Sequence, residues 1–224
     1  MRLRCLRCLR WLVRSLFRLL SDLHIEGMEN IPLSGPRLLA VNHLSYFDVA
    51  LMFAHLGSDD VATWGAEKYE RHWLFGTLLR LGKVIFIRRG EVDRGALDAA
   101  VDWLRAGKTF GLAPEGTRSR TGALLRAKTG VAYLAYESGA VIIPAAVFGT
   151  ETIGHALLRL RRPRVTMRIG LAFTLPAPDP KTRTASLRRD VDEVMCRIAA
   201  LLPSKYWGVY ADHPRLKELL GNTA

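Results

Sequence analysis

A histidine and an aspartate five residues apart, His43 and Asp48, stand between two apolar runs, Leu38-Leu39-Ala40-Val41 and Val49-Ala50-Leu51-Met52-Phe53. The first run reads as the end of a buried strand and the second as the opening of a helix. On one ideal helix, residues five apart point roughly 140° away from each other. The imidazole and the carboxylate therefore meet only if His43 lies on the turn before the helix and Asp48 in its first turn. Held that way, the carboxylate orients the ring and the histidine is equipped to act as a general base. The same residues also support a purely local reading. Ser45-x-x-Asp48 is a capping box, in which Asp48 serves only the backbone donors at the helix start. On these residues alone both readings stand.

Three further stretches carry chemistry. In α/β sheets, functional residues gather in the loops beyond the carboxyl ends of the strands. Arg88-Arg89-Gly90 follows the run Val84-Ile85-Phe86-Ile87, and Pro114-Glu115-Gly116-Thr117-Arg118-Ser119-Arg120 follows Phe110-Gly111-Leu112-Ala113. Arginine matches phosphate by bidentate donation, and Gly116 lets backbone amides approach an anion. Glu115, between two basic loops, is placed to orient Arg118 or a ligand hydroxyl. The bland alternatives are a solvated strand end for Arg88 and Arg89 and a polar turn for residues 114–119. Pro144, inside the run Val141 to Phe148, argues for an edge, a bulge or a bend. Gly107-Lys108-Thr109 imitates the end of a phosphate-binding P-loop but precedes a strand, and Asp102 stands where the first glycine belongs. No Gly-x-Ser-x-Gly elbow, His-Glu-x-x-His pair or dinucleotide glycine fingerprint occurs, which disfavours a serine hydrolase, a zinc protease and a Rossmann dehydrogenase.

The elements that must position these residues follow from periodicity. Strands are expected at residues 37–41, 61–64, 83–88, 109–113, 141–148 and 164–173. Helices are expected from the His43 corner to about Leu56 and at 73–81, 91–106, 130–137 and 186–202. Strands alternating with helices predict an α/β fold, a single domain whose mostly parallel central sheet is covered by helices. Asp22 to Pro36, with Gly27, Pro32, Gly35 and Pro36, reads as a connector. The expected boundaries are a basic helix at 1–24 and the domain at 25–224.

Residues 1–23 interleave arginine with leucine. On a helical wheel Arg4, Arg7, Arg10, Arg14 and Arg18 fall within an arc of roughly 120°, with Leu6, Leu9, Leu12, Val13, Leu16, Phe17, Leu19 and Leu20 opposite. The arginines break both a spanning helix and a signal-peptide core, which leaves a basic amphipathic helix lying in a membrane interface. The alternative is a helix packed on the protein's own core. The chain of 224 residues carries a net charge of +12, from 33 Lys plus Arg against 21 Asp plus Glu, which calls for an anionic partner. Nucleic acid is disfavoured, because the arginines concentrate on one amphipathic helix and no binding motif accompanies them. Three cysteines make no disulfide framework and favour a reducing compartment, and Cys5-x-x-Cys8 lacks a second half-site for a metal.

Taken together and in order, the stretches resemble the four blocks of the glycerolipid acyltransferase family, the 1-acylglycerol-3-phosphate acyltransferases among them. Asn42-His43-x4-Asp48 resembles its His-x4-Asp block, and Phe86-Ile87-Arg88-Arg89 the second block, with Arg89 as the substrate-binding arginine. Glu115-Gly116-Thr117-Arg118, flanked by Pro114 and Ser119, resembles the third, and Ile143-Pro144-Ala145 the fourth. Lys128-Thr129-Gly130 matches a further Lys-x-Gly of many members. Arg88 departs from the acidic residue of many phosphatidate-forming members, and Ala145 and Ala146 replace bulkier residues.

The resemblance implies transfer of a fatty acyl group from an acyl-coenzyme A or acyl carrier protein thioester, as co-substrate, to a lysophospholipid hydroxyl. The first acceptor is 1-acylglycerol 3-phosphate; glycerol 3-phosphate, a lyso-ornithine lipid and other lysophospholipids stay open. His43 and Asp48 are then catalytic, and Arg89, Glu115, Gly116, Thr117, Arg118, Lys128 and Pro144 bind substrate. No cofactor and no metal is expected. The expected partner is a membrane surface with anionic lipids and the expected location the cytoplasmic face of the cell membrane. Oxyanion stabilisation is left between the amides of the His43 corner and those around Gly116.

Overall fold

The computed structural model describes residues 2–58, 60–88, 93–177 and 182–221. In chain order the elements are α1 (Arg2–Leu20), β1 (Asp22–Glu26), β2 (Arg37–Val41), α2 (Tyr46–Leu56), β3 (Val61–Ala66), α3 (Trp73–Leu81), β4 (Val84–Ile87), α4 (Arg94–Arg105), β5 (Thr109–Leu112), α5 (Gly130–Ser138), β6 (Val141–Phe148), α6 (Ile153–Leu158), β7 (Arg164–Ile169), α7 (Arg183–Ala200) and α8 (Pro214–Gly221). The strands form one sheet in the order β1-β7-β6-β2-β5-β3-β4. β6, β2, β5, β3 and β4 run parallel, while β7 is antiparallel to β6 and carries β1 parallel beside it. The α/β expectation with a mostly parallel sheet is met.

Alternation along the central strands splits the core in two. Leu38 and Ala40 of β2, with Ile142 and Ala146 of β6, join Val101 and Leu104 of α4, Val131 and Leu134 of α5, and Val194 and Ile198 of α7 on one face. Leu39, Ile143, Ala145 and Val147 point the other way, against Leu51 of α2, Phe17 of α1 and Met167 of β7. Both faces of β2 are therefore covered, which explains its unbroken apolar run.

One expectation about the N-terminal region is corrected. Residues 22–36 are not all connector, because Asp22–Glu26 is a strand paired with β7. Its alternation of Leu23 and Ile25 with Asp22, His24 and Glu26 suits a half-buried edge strand. The helix that precedes it ends at Leu20 and is docked against α2. Phe17 is buried in the core, the Arg14 guanidinium donates to the Ala54 carbonyl at 2.6 Å, and Arg10 donates to the Gly57 carbonyl. These two cations satisfy carbonyls at the C-terminal end of α2 and complement its dipole. The outward face keeps Trp11, Leu12, Leu16 and Leu19 exposed. Among the described residues no helix is long and apolar enough to cross a membrane.

Pro144 is not at an edge, since β6 lies between β2 and β7. The bend belongs to its neighbour. Gly170 N–H donates to the Pro144 carbonyl at 2.8 Å, where proline has no N–H to return, and pairing resumes one residue out of step at Ile142 and Phe173. The bulge absorbs the missing donor and ends β7 at Ile169, short of the expected 173.

Candidate active site

β2 delivers the chain to the site through Asn42. This buried side chain donates to the Val147 carbonyl and accepts from Val147 N–H, both at 2.8 Å, and so continues the β2–β6 pairing past the end of β2. The next residue, His43, is half-buried on the turn. Ser45 caps α2, its Oγ accepting from Phe47 N–H at 3.3 Å. Asp48 completes the capping box by accepting from Ser45 N–H at 2.7 Å.

The same Oδ2 of Asp48 accepts from Leu44 N–H at 2.7 Å and lies 3.0 Å from His43 Nδ1. The cap and the dyad are one structure, and the two readings of the sequence are both present. Asp48 Oδ1 accepts from the buried Thr150 hydroxyl. A buried carboxylate with four donors at a helix N-terminus is held immobile. It therefore accepts a hydrogen bond from His43 Nδ1–H, which leaves Nε2 with its lone pair, directed away from the carboxylate.

The loop after β5 clamps the other side of the corner. Glu115 is buried, its Oε1 accepting from His43 N–H at 3.1 Å and its Oε2 from Leu125 N–H at 2.8 Å. Ser119 N–H donates to the His43 carbonyl at 2.8 Å. The His43 backbone is thus held at both its amide and its carbonyl by one loop. Burial pushes the Glu115 carboxyl up to about 7, against the two amide hydrogen bonds that favour its charged form. Glu115 does not reach Arg118, whose guanidinium instead lies over the Tyr46 ring, 4.0 Å from its centroid. Arg118 makes no ion pair among the described residues, so its donors remain for an anion.

Gly116 turns with φ 68°, and a Cβ there would stand 3.1 Å from Lys128 Cδ. Lys128 lies across the loop and its N–H donates to the Pro114 carbonyl at 2.9 Å, while Thr117 is exposed beside it. The amides of His43, Leu44 and Ser45 are all engaged. Among the described residues those of Tyr46 at the corner and of Thr117 and Arg118 in the loop make no hydrogen bond, so both places offer free amides to an oxyanion.

Not every expected residue converges here. Pro144 is buried inside β6 opposite Ala40, below the level of His43. Arg89 lies outside the described residues. Arg88 follows β4 at the same edge of the sheet, three strand spacings from β2, or about 14 Å, and pairs with Asp93, the cap of α4. Thr150 was missed from the sequence. The signal available was its place just beyond the end of β6, where functional side chains gather.

The class that this fold and dyad define is supported by comparison. A family model described as Acyltransferase matches residues 22–148, and the chain belongs to that family. It is 27% identical over 129 residues to the 1-acyl-sn-glycerol-3-phosphate acyltransferase of Borreliella burgdorferi, over 57% of this chain and 51% of that protein. It is 29% identical over 135 residues to the chloroplastic 1-acyl-sn-glycerol-3-phosphate acyltransferase LPAT1 of Arabidopsis thaliana, over 58% of this chain and 37% of that one. The matches thus span about half or less of these curated relatives. The crystal structure of the 1-acyl-sn-glycerophosphate (LPA) acyltransferase PlsC from Thermotoga maritima aligns with a TM-score of 0.63 and 26% identity, covering 86% of this chain and 78% of that one.

Proposed function

We propose that the protein moves a fatty acyl group from an acyl-coenzyme A or acyl carrier protein thioester to the free hydroxyl of 1-acylglycerol 3-phosphate, forming phosphatidate. The observation that carries this reading is the His43–Asp48 pair, anchored by the Thr150 hydroxyl and two corner amides. The names of the relatives favour lysophosphatidate over the other acceptors.

In this reaction Nε2 of His43 takes the acceptor's hydroxyl proton as the oxygen attacks the thioester carbon. Asp48 steadies the imidazolium through Nδ1–H. Collapse of the tetrahedral intermediate breaks the C–S bond, and the proton passes from His43 to the thiolate. Free amides at the corner or in the loop receive the developing oxyanion. Arg118, over the Tyr46 ring, binds the acceptor phosphate with Arg89, and Lys128 adds charge beside Gly116. Glu115 positions the His43 backbone.

Transfer is direct. Ser45 Oγ is committed to the helix cap and Ser119 Oγ donates to the Ala123 carbonyl at 2.6 Å. The buried Cys196 thiol is pushed up to about 12 by burial. No cofactor is required, because the thioester is already activated.

Exposed Tyr46, Phe47 and Val49 give the dyad an apolar rim suited to a lipid acceptor. The outward Trp11, Leu12, Leu16 and Leu19, flanked by Arg7 and Arg18, suit α1 to the interface of an anionic membrane. The cytoplasmic face is the working side, where acyl thioesters are made. Acceptor profiling tests the assignment: purified protein with acyl-coenzyme A should turn over lysophosphatidate well ahead of glycerol 3-phosphate and lysophosphatidylcholine. Equal rates on all three would overturn the choice of acceptor.

A further inference from the structure

The dyad lies at one end of the sheet, and the topology brings two outward apolar surfaces to that same end. β7 starts where β6 finishes, with Thr166 opposite Phe148, and β1 starts beside it, with Asp22 opposite Arg164. The end of α1 and the turn joining α6 to β7 therefore meet at the edge where β2 and β6 stop and Thr150 touches Asp48. In that turn Leu158 is 85% exposed and Leu160 97%. Arg159, Arg161 and Arg162 alternate with and follow them, all exposed.

This turn is built rather than slack. Leu160 takes φ 52°, a left-handed conformation that costs a leucine free energy. Leu160 N–H donates to the Leu157 carbonyl at 3.0 Å, and Arg161 N–H to the Ala156 carbonyl at 2.8 Å. The Arg162 guanidinium donates to the carbonyls of Arg18 at 2.6 Å and Ser21 at 2.8 Å, which ties the turn to the C-terminal end of α1. The exposed Leu19 of α1 lies between those two carbonyls.

We propose that the Leu158–Arg161 turn is a second lipid-docking element, which with α1 seats the catalytic edge on an anionic phospholipid bilayer. The inference rests on the reading that the acceptor is a membrane lipid. Its occupant follows from the alternation of leucine with arginine. Leucines enter the acyl boundary while guanidinium groups stay among head-group phosphates, a pattern that an apolar protein groove would leave with unpaired charge.

The test is flotation of the full chain with phosphatidylcholine vesicles, with and without phosphatidylglycerol. Leu158→Asp/Leu160→Asp should lower partitioning onto anionic vesicles by about tenfold or more. Leu33→Asp should not lower it, although Leu33 is 99% exposed, because it precedes β2 at the opposite end of the sheet. Arg159→Glu/Arg161→Glu should abolish the preference for anionic vesicles. On a short-chain lysophosphatidate dissolved below its micelle concentration, the double leucine variant should keep the wild-type rate.

Wild-type partitioning by the double leucine variant would overturn the proposal. So would an equal loss with Leu33→Asp, or a change confined to oligomeric size, which would make a second copy the occupant. Absence of turnover by the wild type would sink the proposed reaction while leaving the vesicle difference to decide this one.

Discussion

Glu115→Gln gives a pH signature that follows from where Glu115 sits. Its carboxyl ionises near 4.5 when unfolded and is pushed up to about 7 by burial in the folded protein. Below 4.5 both states are protonated and the site carries no penalty. Between 4.5 and 7 the native state holds more protons than the unfolded one, so stability falls as pH rises. Above 7 both states are ionised and the loss is complete. At ~1.36 kcal/mol for each pH unit, it amounts to about 3 kcal/mol.

Glutamine cannot titrate, but its amide turns a donor toward either the His43 or the Leu125 N–H, at a cost of about 1–3 kcal/mol at every pH. Wild type should therefore be the more stable protein at about pH 4, and the gap should close or invert by about pH 8. Urea unfolding of both proteins across that range reads the difference, in which the other titrating groups cancel. Parallel stability curves would refute the burial argument for Glu115.

Asp48→Asn replaces an acceptor of four hydrogen bonds with a group that must present donors to some of them. It should cost about 2–4 kcal/mol in urea unfolding and also remove most turnover. Thr150→Val keeps the shape but deletes the hydroxyl on Asp48. A loss of about 1–2 kcal/mol is expected, with a drop in kcat at unchanged acceptor KM. Arg118→Ala should raise the KM for lysophosphatidate while leaving that for acyl-coenzyme A, measured in steady-state kinetics. Trp11→Asp/Leu19→Asp, on the outward face of α1, should shift the protein off anionic vesicles in a sedimentation assay without lowering its Tm.

The fold was legible wherever period and punctuation agreed. β2, β5 and β6 read directly as short apolar runs between turn signals, and α4 as a helix from Ala96, Ala100, Val101 and Leu104 to the Gly107 stop. β1 was hidden because its five residues precede Gly27 and its partner β7 lies far off in sequence. Short edge pairing of this kind is specified by tertiary contact rather than local propensity. The docking of α1 was equally non-local: a helical wheel separates arginine from leucine, but not Arg10 and Arg14, which serve the α2 carbonyls, from Arg7 and Arg18, which face outward.

At the site, His43 and Asp48 were legible because their spacing admits one geometry. The choice between cap and dyad dissolved, since one carboxylate oxygen performs both tasks. The role of Glu115 was not legible. A carboxylate beside an arginine in sequence invites an ion pair, whereas the turn at Gly116 sends Glu115 inward to backbone amides and Arg118 outward onto Tyr46.

The central claim is tested by following free thiol and lipid product together when purified protein meets lysophosphatidate and an acyl-coenzyme A. Phosphatidate and thiol should appear in equal amounts, and His43→Ala, folded as judged by circular dichroism, should slow both by about 100-fold or more. Wild-type rates in His43→Ala, or thiol release with no acylated lipid, would contradict it.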